Sequence, residues 1–213
     1  MIIEHFINTP EEVLPSGKAL CRACAEAGTC CCRTDPDCTH LNFPLSDPEW
    51  QRLLPYAKLS SAATPGRDEV FGQGNAIRAL EPNTPEFVAS MKTLFPRDKK
   101  RIEFLFPQNG THYTMRTGEG GSCVFLGETG CRLPRSARPW YCLLFPVWMV
   151  ENSLTLFTSA HCLIVQKAYS PAHGIALMQQ HPALIRELHH ALRLDWGLAP
   201  QNNESLNTYE NSD

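Results

Sequence analysis

The feature that most constrains this chain is a dense run of cysteines near its N-terminus. Residues 21–38 read CRACAEAGTCCCRTDPDC and hold six of the ten cysteines, with Cys30, Cys31 and Cys32 consecutive. Neighbouring cysteines strain a mutual disulfide, because the bridge requires a narrow range of distances and dihedral angles. The stretch also lacks a helical or strand period. We therefore expect a loop whose thiols face either a common ligand or distant disulfide partners.

The expected compartment decides between these two uses of the thiols. The N-terminal MIIEHFINTPEEV has neither a cationic start nor a long apolar run, so it predicts no secretory signal. No window reaches the roughly 18 apolar residues of a membrane span. The expectation is a cytoplasmic location, where thiols stay reduced. Metal ligation is then favoured over a disulfide scaffold, which remains the alternative for an exported protein.

Charge narrows the classes of partner. The chain carries 19 Lys and Arg against 22 Asp and Glu, a formal net charge of -3. A nucleic-acid binder is expected to present a broad basic surface, and the sequence indicates none. It therefore predicts no nucleic-acid partner and no membrane partner. Another protein is the favoured partner, and the oligomeric state is left open.

Length and apolar content predict a single domain. The 213 residues are 43% hydrophobic, which is enough for an ordinary core without crosslinks. We place this cysteine-cluster domain at 1–196, with segment 50–122 as an insertion. The polar residues 197–213 are expected to form a disordered tail.

Two helix starts carry clear capping signals. Ser46 or Asp47 can cap a helix that has Pro48 in its first turn. Thr84 can cap a second helix that runs to Phe95.

A third helix is predicted by an apolar stripe near the C-terminus. In PALIRELHHALRL the stripe consists of Leu184, Ile185, Leu188 and Leu192. His189 and His190 are expected to lie off this stripe, at the surface.

Strand signals predict three β-hairpins. RIEFLF and THYTMR would turn at Asn109-Gly110, CVFL and CRL at GETG, and PVWMV and SLTLFT at Glu151-Asn152. Residues 59–83 contain Gly, Ser and Pro and are expected to form an irregular connection. With the helices, these hairpins predict an α+β fold: a small, irregular, cysteine-rich metal-binding domain with short β-hairpins and several helices.

Beyond the N-terminal run, four more cysteines lie beside turns or at the ends of short elements: Cys123, Cys131, Cys142 and Cys162. Turns leave backbone N–H groups free to stabilise a thiolate, the form that binds metal. Cys21-x2-Cys24 is a two-ligand knuckle of the zinc type, but the second C-x2-C of a zinc ribbon is missing. The ferredoxin cysteine run and the motifs HExxH, GxSxG and Walker A are missing as well.

Several short motifs occur in an order typical of one family. They are Cys21-x2-Cys24, Gly28-Thr29-Cys30-Cys31, Pro44-Leu45-Ser46 to Glu49, Cys123-Val124-Phe125-Leu126 to Gly130-Cys131, Arg138-Pro139-Trp140-Tyr141-Cys142 to Phe145-Pro146, and Cys162. In this pattern the chain resembles the YkgJ-like cysteine-cluster family, described as zinc- or iron-chelating proteins. Flagellin lysine methylase, an iron–sulfur protein, has a similar cysteine arrangement. The resemblance covers residues 21–49 and 123–165.

The resemblance implies eight metal-site cysteines: Cys21, Cys24, Cys30, Cys31, Cys123, Cys131, Cys142 and Cys162. In the family a glycine directly follows the second cysteine, and one residue separates it from the paired cysteines. Here residues 25–27 intervene, and Cys32 follows the pair. The ligand pair is therefore either Cys30 and Cys31 or Cys31 and Cys32. Cys38 is either a substitute ligand or a bystander.

Other side chains near these cysteines are candidates for supporting roles. Arg138 is expected either beside the cofactor, where a cation stabilises thiolate charge, or in an ion pair that orients the RP turn. His161 and His40 adjoin cysteines and are candidate nitrogen ligands. Four aromatic residues are expected to form a hydrophobic shell around the site: Trp140, Tyr141, Phe145 and Trp148.

The first functional hypothesis is an iron–sulfur protein, with a 4Fe-4S cluster and a redox or protein-modification role. The alternative cofactor is zinc, which would make the chain a structural zinc module that binds another protein. A third hypothesis is a thiol enzyme with His161 or His40 as the base, although no local signature supports it. Whether the chain is an enzyme is left open.

Overall fold

A computed structural model describes residues 22–24, 26, 43–60, 76–159 and 162–199. Within these ranges the fold is α+β, as predicted, with helices packed around short antiparallel strand pairs. The helices are α1 (Asp47–Leu53), α2 (Pro85–Leu94), α3 (Lys99–Leu105), α4 (Trp140–Leu144), α5 (Leu163–Lys167), α6 (Pro171–Leu177) and α7 (Pro182–Asp195). Among the described helices, none has the length and apolar character needed to cross a membrane.

The described strands form three two-stranded antiparallel sheets, β1 with β2, β3 with β4, and β5 with β6. They are β1 (Arg78–Pro82), β2 (Thr111–Met115), β3 (Leu126–Gly127), β4 (Gly130–Cys131), β5 (Val147–Val150) and β6 (Ser153–Leu156). Two predicted hairpins are confirmed. Leu126 lies opposite Cys131 across the GETG turn, and Val147 lies opposite Leu156 across the second turn.

The predicted hairpin of RIEFLF and THYTMR is wrong, because RIEFLF belongs to α3. Ile102 and Phe106, four residues apart, are buried, whereas Phe104 is 72% exposed. A strand would place all three side chains on one face, so their burial follows a helical period. The chain then turns through Asn109, whose φ is 65°, and enters β2.

The strand that pairs with β2 comes from the segment expected to be irregular, residues 59–83. In β1, Leu80 lies opposite Tyr113. The Arg78 guanidinium is 4.1 Å from the ring centroid of Trp50 and 3.8 Å from that of Tyr113. These two cation–π contacts hold the β1–β2 sheet against α1. Residues 61–75 of the segment lie outside the described ranges.

Both predicted helix caps are confirmed. The Ser46 hydroxyl accepts the Glu49 N–H at 3.3 Å, and the Glu49 carboxylate accepts the Ser46 N–H at 2.9 Å, which forms a capping box at the start of α1. The Thr84 hydroxyl accepts the Phe87 N–H at 3.2 Å and begins α2. Each helix therefore starts where its local sequence predicts.

The described core consists of two hydrophobic clusters. The first is rich in aromatic residues and includes Phe95, Tyr141, Trp148 and Ile185. The second lies between α1 and the β3–β4 hairpin and consists of Leu45, Trp50, Leu53, Ala57, Ile77, Val124, Phe125 and Leu133. Segment 50–122 supplies buried residues to both clusters.

The apolar stripe of α7 is confirmed, but one of its histidines was misplaced. Ile185 and Leu192 are fully buried, and His190 is exposed as expected. The surface expectation is wrong for His189, which is 1% exposed and lies edge-on to Trp148 with ring centroids 5.1 Å apart. Residue 189 follows residue 185 by four positions and therefore shares its buried face.

The expected disordered tail begins too early. Gly197, with a φ of 61°, turns the chain after α7, and Leu198 is buried. The Arg193 guanidinium donates hydrogen bonds to the Ala199 carbonyl. It also lies 2.9 Å from the Asp98 carboxylate, and this ion pair lacks the geometry of a hydrogen bond. Residues 197–199 therefore belong to the packed structure, and residues 200–213 lie outside the described ranges.

The predicted cysteine loop is helical in the part that is described. Residues 22–24 and 26 have helical backbone, and Arg22 forms a 2.8 Å ion pair with Glu26 one turn later. The loop expectation is therefore wrong for these positions, where Arg22, Ala23 and Glu26 are residue types that favour a helix. The other residues of 21–38 lie outside the described ranges.

Candidate metal centre

The described residues include five of the eight predicted ligands: Cys24, Cys123, Cys131, Cys142 and Cys162. Cys21, Cys30 and Cys31 lie outside them, as do the alternatives Cys32 and Cys38. The choice between the two possible ligand pairs therefore stays a prediction. His40 and His161 also lie outside the described residues.

The β3–β4 hairpin positions Cys123 and Cys131. Cys123 forms a β-bridge with Thr117, and its carbonyl accepts the Leu126 N–H at 2.8 Å. Leu126 in turn lies opposite Cys131. The turn between them requires Gly130, whose φ of 108° is strained for any residue with a Cβ. Backbone pairing thus brings two cysteines eight positions apart to one end of the hairpin.

Arg138 orders the loop between this hairpin and α4. Its Nε donates to the Leu133 carbonyl at 3.1 Å, and its Nη2 donates to the Cys131 carbonyl at 3.5 Å. Among the described residues these partners are carbonyl oxygens, and the two bonds order the RP turn; the expected carboxylate partner stays a prediction. The positive charge of Arg138 opposes the rise in the pKa of the Cys142 thiol.

Helix α4 brings Cys142 towards the hairpin cysteines. Cys142 is a free thiol at an exposed position, with protein groups around it that reduce its hydration. The resulting loss of hydration raises the pKa of Cys142 well above its usual range, and the charges of Cys123 and Cys131 raise it further. Such charge effects require proximity. Three predicted ligands are therefore related electrostatically, because the charges of Cys123 and Cys131 act on Cys142 of α4.

Three neighbouring thiols have a definite chemistry. As thiolates they repel one another, and a bound cation relieves the repulsion and favours their deprotonation. An all-sulfur donor set suits zinc or an iron–sulfur cluster. Within the described part of the chain, no three His, Cys, Asp or Glu side chains are arranged to hold a metal ion by themselves. The three thiols fit such a cofactor in donor type, and a complete site needs ligands from elsewhere in the chain.

Cys24 and Cys162, the other two described candidates, lie in different parts of the fold. Cys24 is half-buried on the helical residues 22–24. Cys162 precedes α5 and is buried in the aromatic-rich first cluster. Three residues of the predicted aromatic shell belong to that cluster, and the fourth packs against it: Tyr141, Phe145, Trp148 and the half-buried Trp140.

A buried carboxylate, Glu49, lies near Cys142. Glu49 is 1% exposed, and its Oε2 accepts both the N–H and the hydroxyl of Ser46 at 2.9 and 2.8 Å. Its Oε1 accepts the Trp140 N–H at 2.7 Å. Burial raises the pKa of this carboxyl, and the hydrogen bonds from Ser46 and Trp140 oppose that rise. The charge of Glu49 contributes to the raised pKa of Cys142.

The indole of Trp140 is held from the opposite side. Its Nε1 donates to Asp195 Oδ2 at 2.6 Å. The Arg52 guanidinium lies 4.1 Å from the indole centroid and 3.3 Å from the same carboxylate oxygen. Helices α1 and α7 therefore anchor the first residue of α4 together.

Sequence reasoning did not identify Glu49, Arg52 or Asp195 as neighbours of the site. The Ser46-x-x-Glu49 signature could have revealed the capping box, but not the bond from Glu49 to α4. Arg52 and Asp195 stand in no local motif. Comparison with family models, with curated proteins and with solved structures found no match for this chain.

Proposed function

We propose that this chain is a cytoplasmic metalloprotein of the YkgJ-like type, whose cysteines bind an iron–sulfur cluster, most simply of the 4Fe-4S type. Its role would be redox transfer or the modification of another protein. Two points support the proposal: the order and spacing of the cysteines in the sequence, and the charges of Cys123 and Cys131 that act on Cys142. Thiols that repel one another as thiolates are a costly arrangement for a metal-free protein and a useful one around a cation.

A four-iron cluster takes four cysteine thiolates. In this proposal Cys123, Cys131 and Cys142 would supply three of them. The fourth would come from the remaining candidates: Cys21, Cys24, Cys162 and the pair that is either Cys30 and Cys31 or Cys31 and Cys32. When bound, such a cluster supplies electron transfer at a potential that nearby charges and hydrogen bonds tune. Arg138 and Glu49 carry opposite charges near Cys142, so the first favours its thiolate and the second disfavours it.

Metal analysis of protein purified without oxygen tests the proposal. Iron and acid-labile sulfide in comparable amounts, with a broad absorption band near roughly 400 nm, would support the cluster. Colourless protein with stoichiometric zinc would replace it with the alternative, a structural zinc module that binds another protein. Neither metal, with the thiols paired in disulfides, would refute both and the compartment argument with them.

Single substitutions then identify the ligands. Cys142→Ser is expected to lower the iron and sulfide content, because it removes one of the proposed ligand thiols. Ser136→Ala, at an exposed position in the turn that precedes α4, is the control and should retain the wild-type content. Comparing Cys30→Ser with Cys32→Ser decides which pair binds. Full iron and sulfide in the Cys142→Ser protein would contradict the assignment of this residue.

A further inference from the structure

The P-L-S-x-x-E motif, residues 44–49, supplies no ligand to the proposed centre, yet its Glu49 bonds to the helix that carries Cys142. That helix, α4, has only five residues. A helix so short has little stability of its own. Its N-cap position is occupied by Pro139, whose ring has no acceptor for the first N–H groups. Glu49 provides an acceptor from 91 residues away in the sequence.

The Glu49 carboxylate can hold the first turn of α4 in one orientation, because both of its oxygens are hydrogen-bonded. Oε1 bonds to Trp140, and Oε2 bonds to Ser46 through two contacts, so both oxygens are committed. The side chain is 1% exposed, and water cannot replace either partner easily. Cys142 lies two residues after Trp140, within the same helical turn. The bond to the Trp140 N–H therefore holds the turn of backbone that carries Cys142.

We infer that Glu49 is a positioning residue for Cys142: its buried carboxylate bonds to the first residue of α4 and so fixes the helical turn that carries the thiol. The metal-binding consequence rests on the proposed function. The placement of the thiol itself is a property of the metal-free protein as well. Asp195 anchors the indole of the same tryptophan from α7 and supports the same orientation.

A purely local role for Glu49, as the capping partner of Ser46, makes a different prediction. Ser46→Ala removes the cap hydroxyl but leaves Oε1 on the Trp140 N–H, so it is the matched control for loss of the cap. Glu49→Gln has a single oxygen and cannot accept from Ser46 and Trp140 together. Glu49→Asp keeps the negative charge but is one methylene too short to span both partners. This variant separates the effect of position from the effect of charge.

The first measurement is the rate at which iodoacetamide alkylates Cys142 in the metal-free, reduced full-length protein, followed by peptide mass. We expect the alkylation rates of Glu49→Gln and Glu49→Asp to differ about tenfold from that of Ser46→Ala. Each rate is measured at the same number of degrees below the melting temperature of that variant. If the alkylation rates of all three variants agree within about twofold, the inference is overturned. A change in Glu49→Gln that is restored in Glu49→Asp would also overturn it, because charge alone would then explain the effect.

The second measurement uses cobalt(II) alone as a spectroscopic probe of thiolate ligation in the same proteins. Glu49→Gln and Glu49→Asp should lose charge-transfer intensity as Cys142→Ser does, whereas Ser46→Ala should keep it. If the wild-type band depends on Cys142 but is undiminished in both Glu49 variants, the positioning role is refuted and the proposed function stands. If Cys142→Ser matches the wild type, the proposed function fails for this ligand, and the alkylation rates still decide whether Glu49 positions the thiol.

Discussion

Acidification should destabilise this fold through His189. The side chain is 1% exposed on α7 and lies edge-on to Trp148. Burial first, and then the positive charges of Arg193 and His190, lower the pKa of His189 to about 4 from an ordinary 6.5. The folded protein therefore favours the neutral ring, while the unfolded chain takes up a proton below pH 6.5. The contribution to stability is complete above pH 6.5 and is lost as the pH falls towards 4.

The size of the effect follows from these two pKa values. The gap between 6.5 and about 4, at about 1.4 kcal/mol for each pH unit, sets a ceiling of about 3.5 kcal/mol on what His189 contributes to the free energy of unfolding. At pH 5 the unfolded histidine is almost fully protonated and the folded one is almost fully neutral. The loss relative to pH 7 is then about 2 kcal/mol. Since domains of this kind are stable by roughly 5–15 kcal/mol, the loss is readily measured.

Urea unfolding at pH 7, 6 and 5 isolates this contribution when wild type and His189→Leu are compared in the metal-free, reduced state. Groups present in both proteins cancel in the difference, including His112, whose pKa burial also lowers to about 4. The wild-type advantage in unfolding free energy should shrink by about 2 kcal/mol between pH 7 and pH 5. His190→Leu, at the exposed neighbouring position, removes only the smallest of the three causes and should keep most of the wild-type decline. A wild-type advantage that is independent of pH would refute the reasoning.

Other substitutions test the packing around the candidate centre. Arg193→Leu leaves the carboxylate of Asp98 buried without its partner and should lower the free energy of unfolding by roughly 3–5 kcal/mol in urea, and a loss below about 1 kcal/mol would contradict the buried pair. Gly130→Ala forces a φ of 108° on alanine and should cost roughly 1–3 kcal/mol by thermal unfolding. Gly118→Ala is its control, since the new Cβ meets nothing closer than 3.9 Å. Trp140→Phe keeps an aromatic ring but loses the indole N–H bond to Asp195 on α7. A double-mutant cycle of Trp140→Phe and Asp195→Ala should show a coupling free energy of about 1–3 kcal/mol. Additive effects of the two substitutions would show that this bond does not stabilise the fold.

The elements that the sequence predicted correctly are those decided by local chemistry. The Ser46 and Thr84 caps and the two tight hairpins depend on residues within a few positions of one another. RIEFLF failed because its apolar residues fit either period, and only burial against the rest of the fold selects the helical one. His189 failed for a related reason. Its polar character suggested the surface, whereas its position four residues after Ile185 placed it in the core.

The same distinction between local and long-range contacts applies to the candidate site. The cysteines were identified from spacing and motif order, since a ligand type carries its own signal in the sequence. The contacts that orient Cys142 could not be identified in that way. The Glu49 bond to Trp140 spans 91 residues, and the Asp195 bond to the same residue spans 55. Such contacts exist only once α1 and α7 have packed against α4.

The difference between local and long-range contacts predicts which candidate cysteine becomes mobile first when the fold is destabilised. Cys123 and Cys131 are placed by backbone pairing within one hairpin, whereas Cys142 depends on Trp140 and its partner on α7, the helix that carries His189. Protonation of His189 should therefore loosen α4 before it loosens the hairpin. Hydrogen exchange measures this directly: between pH 7 and pH 5, after correction for the intrinsic rate, the Trp140 N–H should lose protection while the Leu126 N–H keeps it. In His189→Leu the two amides should no longer diverge with pH. Equal loss of protection at both amides in the wild type would mean that hairpin and helix open as one unit, and that the thiols are positioned by the whole fold rather than in two separable steps.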